Sequence, residues 1–163
     1  MLSPETTSPA GLARALGPAD APPDIQHPPL RALWAYWAGK KHGERLPGRK
    51  DIAPHDMRAW LGNLLLLDVV EGGRDFRYRL HGAKLVTMFG HDLTGGVVSA
   101  LKVKNVEALL AEAREAVNFR RFVYIEDGLV AEKTFIRTSK LILPLAGDGR
   151  SVDMLLVGIY PLG

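Results

Sequence analysis

Histidine is the first residue type to consider, because its side chain both binds metals and transfers protons near neutral pH. None of the histidines belongs to an HExxH motif or to another pairing with a carboxylate at metal-ligand spacing. His81 also falls on the polar face of a predicted strand. We therefore expect solvated or helix-capping histidines and no metal site. The chain has five of them: His27, His42, His55, His81 and His91.

Acidic side chains lie close together at Glu126, Asp127 and Glu132, and such groups can serve as general acid and base. Asp127 and Gly128 form a predicted hairpin turn, however, where acidic side chains are usually solvated. No serine lies in a GxSxG motif, and the glycine pairs form neither a GxGxxG motif nor a P-loop. The sequence therefore favours a protein that is not an enzyme, with a small enzyme as the weaker alternative.

A group of basic residues between positions 40 and 50 is the best candidate for an anion or nucleic-acid surface. The neighbouring aromatic residues occur at helical spacing, which indicates packing and not base stacking. The formal net charge of the chain is only +3. We therefore expect a solvated loop and no nucleic-acid partner. The group comprises Lys40, Lys41, Arg45, Arg49 and Lys50.

Composition excludes several classes of protein. The chain has 163 residues, of which 47% are hydrophobic and 24% charged, and no cysteine. Disulfides, thiolate zinc sites, iron–sulfur clusters and a cysteine-linked photoactive flavin are therefore impossible. No apolar run approaches the roughly 18 residues of a membrane span, and no secretory signal is visible. We expect a cytoplasmic protein without a membrane partner.

The distribution of prolines divides the chain. Seven of the 11 prolines lie within residues 1–29, where they remove many backbone hydrogen bonds. We predict a mobile proline-rich tail over residues 1–28, a helical extension over 29–62 and the main domain over 63–163. Within the extension, one apolar stripe occurs at i, i+3, i+4 and i+7 spacing. Its members are Leu30, Leu33, Trp34 and Trp37.

The remaining pattern predicts an α+β domain with an antiparallel sheet, because strands and helices are grouped and do not alternate. The last strand is apolar on both faces, which favours a central position. Helices are predicted from residue 54, within 83–99 and from 103 to 117. The predicted strands are 64–70, 76–81, 122–126, about 130–145 and 152–160.

The order of elements and motifs resembles a family of short bacterial PAS-like proteins. The resemblance covers residues 30–160 and implies a five-stranded sheet in the order 2-1-5-4-3, with short helices and one long helix on one face. It also implies a sensory role, signal transduction through a partner and no catalytic residues. The matching segments are LWAYW (33–37), LPGR (46–49), DIAP (51–54), FRYRLHG (76–82), GHDLTG (90–95) and LPL (143–145), with Gly149 and Asp153.

A PAS fold implies a small-molecule pocket between the inner face of the sheet and the helices. Plain core packing of the same residues remains open, and with it a structural or protein-interaction domain without a ligand. Some PAS domains hold haem, but the position of His81 argues against it, so the cofactor stays unassigned. The candidate lining residues are Tyr78, Leu80, Leu85, Phe89, Leu110, Tyr124 and Phe135.

The outer face of the sheet needs a cover, because the last strand is apolar on both sides. Leu30, Leu33, Trp34 and Trp37 form a stripe suited to this role, either on their own sheet or in a second copy. Two-fold dimers are the commonest homo-oligomers. We expect a homodimer with these residues at its interface, together with a signalling protein that the sequence does not identify.

Overall fold

A single antiparallel sheet organises the chain in the computed structural model, which describes residues 16–129 and 136–162. Its strand order is β2-β1-β5-β4-β3, so the predicted α+β fold and sheet order are confirmed. The apolar last strand lies in the middle, where both of its faces are covered. The strands are β1 (Leu64–Val70), β2 (Asp75–His81), β3 (Val123–Leu129), β4 (Arg137–Leu145) and β5 (Met154–Pro161).

Three α-helices pack against the sheet: α1 (Pro28–Gly39), α2 (Ala83–Phe89) and α3 (Val106–Phe119). The helix predicted from residue 54 is absent, and two 3₁₀ turns, Pro54–Met57 and Leu61–Asn63, occupy that stretch. Such short segments cannot offset the cost of nucleating an α-helix. In the described ranges, none of the helices has the length and apolarity needed to cross a membrane.

Helix α1 covers the outer face of the sheet of its own chain. Leu30, Leu33 and Trp37 are buried there, and Trp37 Nε1 donates a hydrogen bond to the carbonyl of Pro144 at 2.9 Å. A Cβ atom at Gly158 would lie 2.8 Å from Leu33 Cδ2. The glycine therefore allows the helix to approach β5 closely.

The predicted tail over residues 1–28 differs from the structure in its last part. Ala21 and Ile25 are buried, and the Arg31 guanidinium donates to the carbonyls of Pro18, Ala21, Pro22 and Ile25 at 2.6–3.1 Å. Because one guanidinium carries five N–H donors, it can order a turn that lacks regular backbone pairing. Residues 1–15 lie outside the described part.

A β-bulge in β2 changes the predicted face of two residues. Tyr78 and Leu80 pair with consecutive residues of β1, so Arg79 is the extra residue. Leu80 therefore packs with the outer-face cluster, while His81 turns to the inner face and is buried. The prediction of a solvated His81 is wrong, because one inserted residue reverses the alternation beyond it.

A second bulge explains why the turn predicted at Asp127 and Gly128 is also wrong. Both residues lie inside β3, where Glu126 pairs with Ser139 and Gly128 pairs with Thr138. Asp127 is thus the unpaired residue of the bulge. Glu132, the third carboxylate of the candidate acid–base group, lies outside the described residues.

Candidate ligand cavity

A cavity of about 450 Å³ lies between the inner face of the sheet and the helical side of the domain. Its floor is formed by alternate residues of the three central strands, which point to the same face because side chains repeat every second residue. These floor residues are Leu65, Leu67, Ile142, Val157 and Ile159.

The other walls of the cavity come from α2, α3 and the segment between them. Phe89 at the end of α2 and Ala113 on α3 line it. The small side chain of Ala113 leaves space between α3 and the sheet. The segment from residue 90 to 105 contains only one 3₁₀ turn, Val98–Ala100. An irregular segment thus forms much of the cavity wall.

Hydrogen bonds fasten this irregular segment to β2. Tyr78 N–H donates to the Gly96 carbonyl at 2.9 Å, and Gly95 N–H donates to the Tyr78 carbonyl at 2.7 Å. Asp75 accepts from the Ser99 hydroxyl at 2.5 Å and from the Ser99 N–H at 3.1 Å. Burial alone would raise the pKa of Asp75, but the hydrogen bonds from Ser99 and Phe76 outweigh it and lower the pKa. The carboxylate therefore stays ionised as an anchor.

The structure brings two of the seven predicted lining residues, Tyr78 and Phe89, to the cavity. Leu85 and Leu110 belong to the same inner-face core but do not line it. Leu80 and Tyr124 pack with the outer-face cluster, because the bulge and the strand register place them there. Phe135 lies outside the described residues.

Sequence reasoning missed the polar residues of the lining: His91, Lys102, Asn105 and Lys140. The alternation in β4 could have indicated Lys140, since Leu141, Leu143 and Leu145 share the outer face and leave Lys140 and Ile142 on the inner one. Lys102 and His91 follow no periodic pattern. They line the cavity only because the segment after α2 folds over it.

Lys140 is a buried cation in the wall of the cavity. It is 9% exposed, and its Nζ contacts Oε1 of Glu112 on α3. A buried ammonium group needs such a partner, because leaving it unpaired is costly. The ion pair thereby joins α3 to the sheet on the cavity side.

Tyr78 and Phe89 form an aromatic wall of the cavity. Two further titratable side chains, Tyr78 itself and His81, lie at or beside this wall. Burial raises the pKa of Tyr78 to about 12, so its hydroxyl is neutral at physiological pH. His81 lies behind this wall, with ring centroids 4.9 Å from Phe89 and 6.0 Å from Tyr78. Burial lowers the pKa of His81, against the opposing effect of Asp92. Both groups are therefore uncharged near neutral pH.

The basic residues between positions 40 and 50 mostly contact their own chain. Lys40 and Lys41 lie 5.2 and 5.3 Å from the ring centroids of Tyr36 and Trp37. Arg45 donates to the Asp148 carbonyl at 2.7 Å. Within the same described ranges, no group of three His, Asp or Glu side chains is arranged to hold a metal ion.

The sheet order, with α2 and α3 on the inner face and a cavity between them and the sheet, is that of a PAS fold. The family model described as "PAS domain" matches residues 25–160. The chain therefore belongs to the PAS domain family. The family match begins at Ile25, which is fully buried although it lies in the predicted tail.

Solved structures of PAS and LOV domains are similar to about two thirds of this chain. A light-oxygen-voltage domain studied with a flavin analogue has a TM-score of 0.52 at 13% identity, over 67% of this chain and 83% of that chain. The Rhodobacter sphaeroides LOV protein has a TM-score of 0.49 at 17% identity, over 67% of this chain and 66% of that chain. The PAS domain of the fruit-fly ELK potassium channel has a TM-score of 0.49 at 13% identity, over 66% of this chain and 92% of that chain. No curated protein matches the chain.

Proposed function

We propose that this PAS domain is a sensory module that binds an apolar small molecule in the cavity between the sheet and α3. The observation that carries the proposal is a space of about 450 Å³ whose floor is aliphatic apart from Lys140, and the charge of Lys140 is paired with Glu112. Engineered apolar cavities of about 150 Å³ already enclose benzene. A ligand of up to about three times the volume of benzene fits this one. The proposal assigns binding and no chemical step.

Strand β5 connects the cavity to α1, so it can transmit the effect of a bound ligand to the outer face of the sheet. Val157 and Ile159 line the cavity, whereas the intervening Gly158 faces α1, against Leu30 and Leu33. A ligand that displaces β5 therefore changes the surface on which α1 is docked. Binding shifts the population of docked α1 only if the ligand prefers one of the two states. We propose that a partner protein or a second copy detects this shift.

Native mass spectrometry of the freshly purified protein tests the proposal, together with one blocking substitution. Ala113→Leu places a larger side chain in the cavity wall. Ala111→Leu makes the same change on the exposed face of the same helix, and is therefore the matched control. We expect a retained small molecule in the parent and in Ala111→Leu, and its loss in Ala113→Leu.

Thermal melting distinguishes a cavity that binds a ligand from a cavity that is empty. A ligand that binds only the folded state raises its stability, so losing it lowers the melting temperature of Ala113→Leu. Filling an empty cavity instead raises stability. A parent without added mass, together with a higher melting temperature for Ala113→Leu, would show that the cavity has no ligand and would overturn the proposal.

We also propose that the domain forms a homodimer through the partly exposed side of α1. Trp34 is only partly buried, and its indole contacts Phe122 edge to face at 6.4 Å between centroids. Leu30, Leu33 and Trp37 are already buried within the chain, so a dimer would use Trp34 and its neighbours. Sedimentation equilibrium of the parent and of Trp34→Ala measures this, and a monomeric parent would contradict it.

A further inference from the structure

We infer that the ligand of this cavity carries a single anionic head group on an apolar body, as a medium-chain carboxylate does. The inference rests on the proposed binding function and specifies the chemical class of the ligand. It comes from the sign of the charges that line the cavity. Among the described lining residues, two are lysines and none is acidic.

The two lysines differ in their partners. The charge of Lys140 is matched by Glu112 within the chain. Lys102 lines the cavity and is exposed, and no carboxylate of residues 16–126 or 136–162 forms an ion pair with it. Among the described lining residues, Lys102 is therefore the lysine without a carboxylate partner, and its ammonium group can pair with a ligand.

The exposure of Lys102 places it at the mouth of the cavity. His91 is likewise exposed and lines the cavity, whereas the floor residues Leu65, Val157 and Ile159 are buried. A ligand with one charged end would thus leave its head group at the mouth, in contact with water and Lys102. Its chain would extend toward the aliphatic floor. This arrangement avoids burying an unpaired charge, which is costly.

The volume of the cavity limits the length of the ligand's alkyl chain. If about 150 Å³ encloses a six-carbon ring, the cavity of about 450 Å³ takes on the order of 18 non-hydrogen atoms. Dodecanoate, with about 14 such atoms, fits within this limit. An ammonium group is a point charge without the fork geometry that selects carboxylates, so a phosphate head group satisfies the same site.

Binding of four probes with the same chain tests the inference: dodecanoate, dodecyl phosphate, dodecanol and dodecylamine. Isothermal titration calorimetry gives each dissociation constant, below the micelle concentration of each charged probe and below the solubility limit of dodecanol. We expect both anions to bind about fivefold more tightly than dodecanol, since a partly exposed ion pair has a modest effect. Dodecylamine should bind most weakly. The difference between the two anions identifies which head group the site favours.

Two lysine variants locate the effect. Lys102→Gln should remove the preference for anions and leave the affinity for dodecanol unchanged. Lys104→Gln removes an equal charge two residues away at an exposed position that does not line the cavity, and should keep the preference. Salt at roughly 1 M should weaken the preference in the parent, because screening reduces the attraction between exposed charges.

The outcomes separate this inference from the proposed function. Equal affinity for all four probes, or tightest binding of dodecylamine, would overturn the anionic head group and keep the apolar ligand site. An anion preference that survives in Lys102→Gln would overturn the role of Lys102. If no probe binds and Ala113→Leu is more stable than the parent, the proposed binding function itself fails.

Discussion

The backbone N–H of Leu93 donates a hydrogen bond to Nδ1 of His81 at 3.0 Å. This bond connects the end of β2 to the segment that lines the cavity, because Leu93 is itself a lining residue. An accepting Nδ1 means that the neutral ring carries its proton on Nε2. Nε2 is buried, and it has no hydrogen-bond partner among the described residues. Protonation of Nδ1 would break the bond to Leu93.

The first prediction concerns pH. Burial lowers the pKa of His81, while Asp92 raises it and His91 lowers it further. The unfolded state therefore binds a proton at a higher pH than the folded state does, and stability is lost as the pH falls below about 6.5. The loss is at most about 1.4 kcal/mol per pH unit for one histidine. Burial also lowers the pKa of His27, which contributes in the same direction.

Urea denaturation between about pH 7 and pH 5.5 measures this slope. His81→Gln should flatten it, since glutamine does not titrate and its amide oxygen can still accept a hydrogen bond. His42→Gln, at an exposed position, is the control and should keep the parent slope. Equal slopes in the parent and His81→Gln would show that His81 does not control this pH dependence.

The second prediction concerns the close approach of two loops at Gly82. A Cβ atom there would lie 2.5 Å from the Gly62 carbonyl oxygen and 2.6 Å from that of Leu61. Because both obstacles are backbone atoms, Gly82→Ala should destabilise the fold by about 1–3 kcal/mol or more. Gly39→Ala adds the same methyl group where no atom lies within 4 Å. It should be neutral or slightly stabilising in the same denaturation assay.

The third prediction contrasts the two tryptophans of α1. Trp37 Nε1 donates to Pro144, whereas Trp34 Nε1 is buried and has no partner in the described part of the chain. Trp37→Phe should cost about 1–3 kcal/mol, because it leaves a buried carbonyl unpaired. Trp34→Phe removes an unpaired donor and should be neutral or stabilising.

Alanine variants extend this contrast. Trp37→Ala should cost about 3–5 kcal/mol, as for other large core aromatics, and Trp34→Ala should cost less because Trp34 is only partly buried. Guanidinium denaturation gives the free energies of unfolding. If Trp37→Ala remained as stable as the parent, α1 would not be docked on the sheet as the structure shows.

The fourth prediction concerns the ordered part of the N-terminal region. Arg31→Lys keeps the charge but cannot reach all four carbonyls of Pro18, Ala21, Pro22 and Ile25. A fixed fork of donors is lost, and we expect destabilisation by about 1–3 kcal/mol. Arg58→Lys, at an exposed position, should have no measurable effect. Equal melting temperatures for Arg31→Lys and the parent would show that this turn contributes nothing to stability.

Local sequence patterns determined much of the fold. The apolar run in residues 64–70 corresponds to β1 over Leu64–Val70, and the stripe containing Leu30, Leu33 and Trp37 forms the buried side of α1. Such patterns are readable because the side-chain periods of strands and helices are properties of the local backbone. The family resemblance supplied the sheet order.

The cavity depended on information that is not local. Tyr78 and Leu80 alternate correctly in the sequence, yet only Tyr78 reaches the cavity, because the bulge at Arg79 reverses the faces beyond it. The bulge arises where β2 pairs with β1. Because β1 is a separate strand, the alternation within β2 does not show where the bulge lies. Lys102 reaches the cavity only because the segment after α2 is fastened to β2 through Asp75 and Ser99. The sequence by itself determined the elements and their apolar faces. The tertiary structure decided which side chains share a site, because strand register and loop anchoring arise from contacts between distant residues.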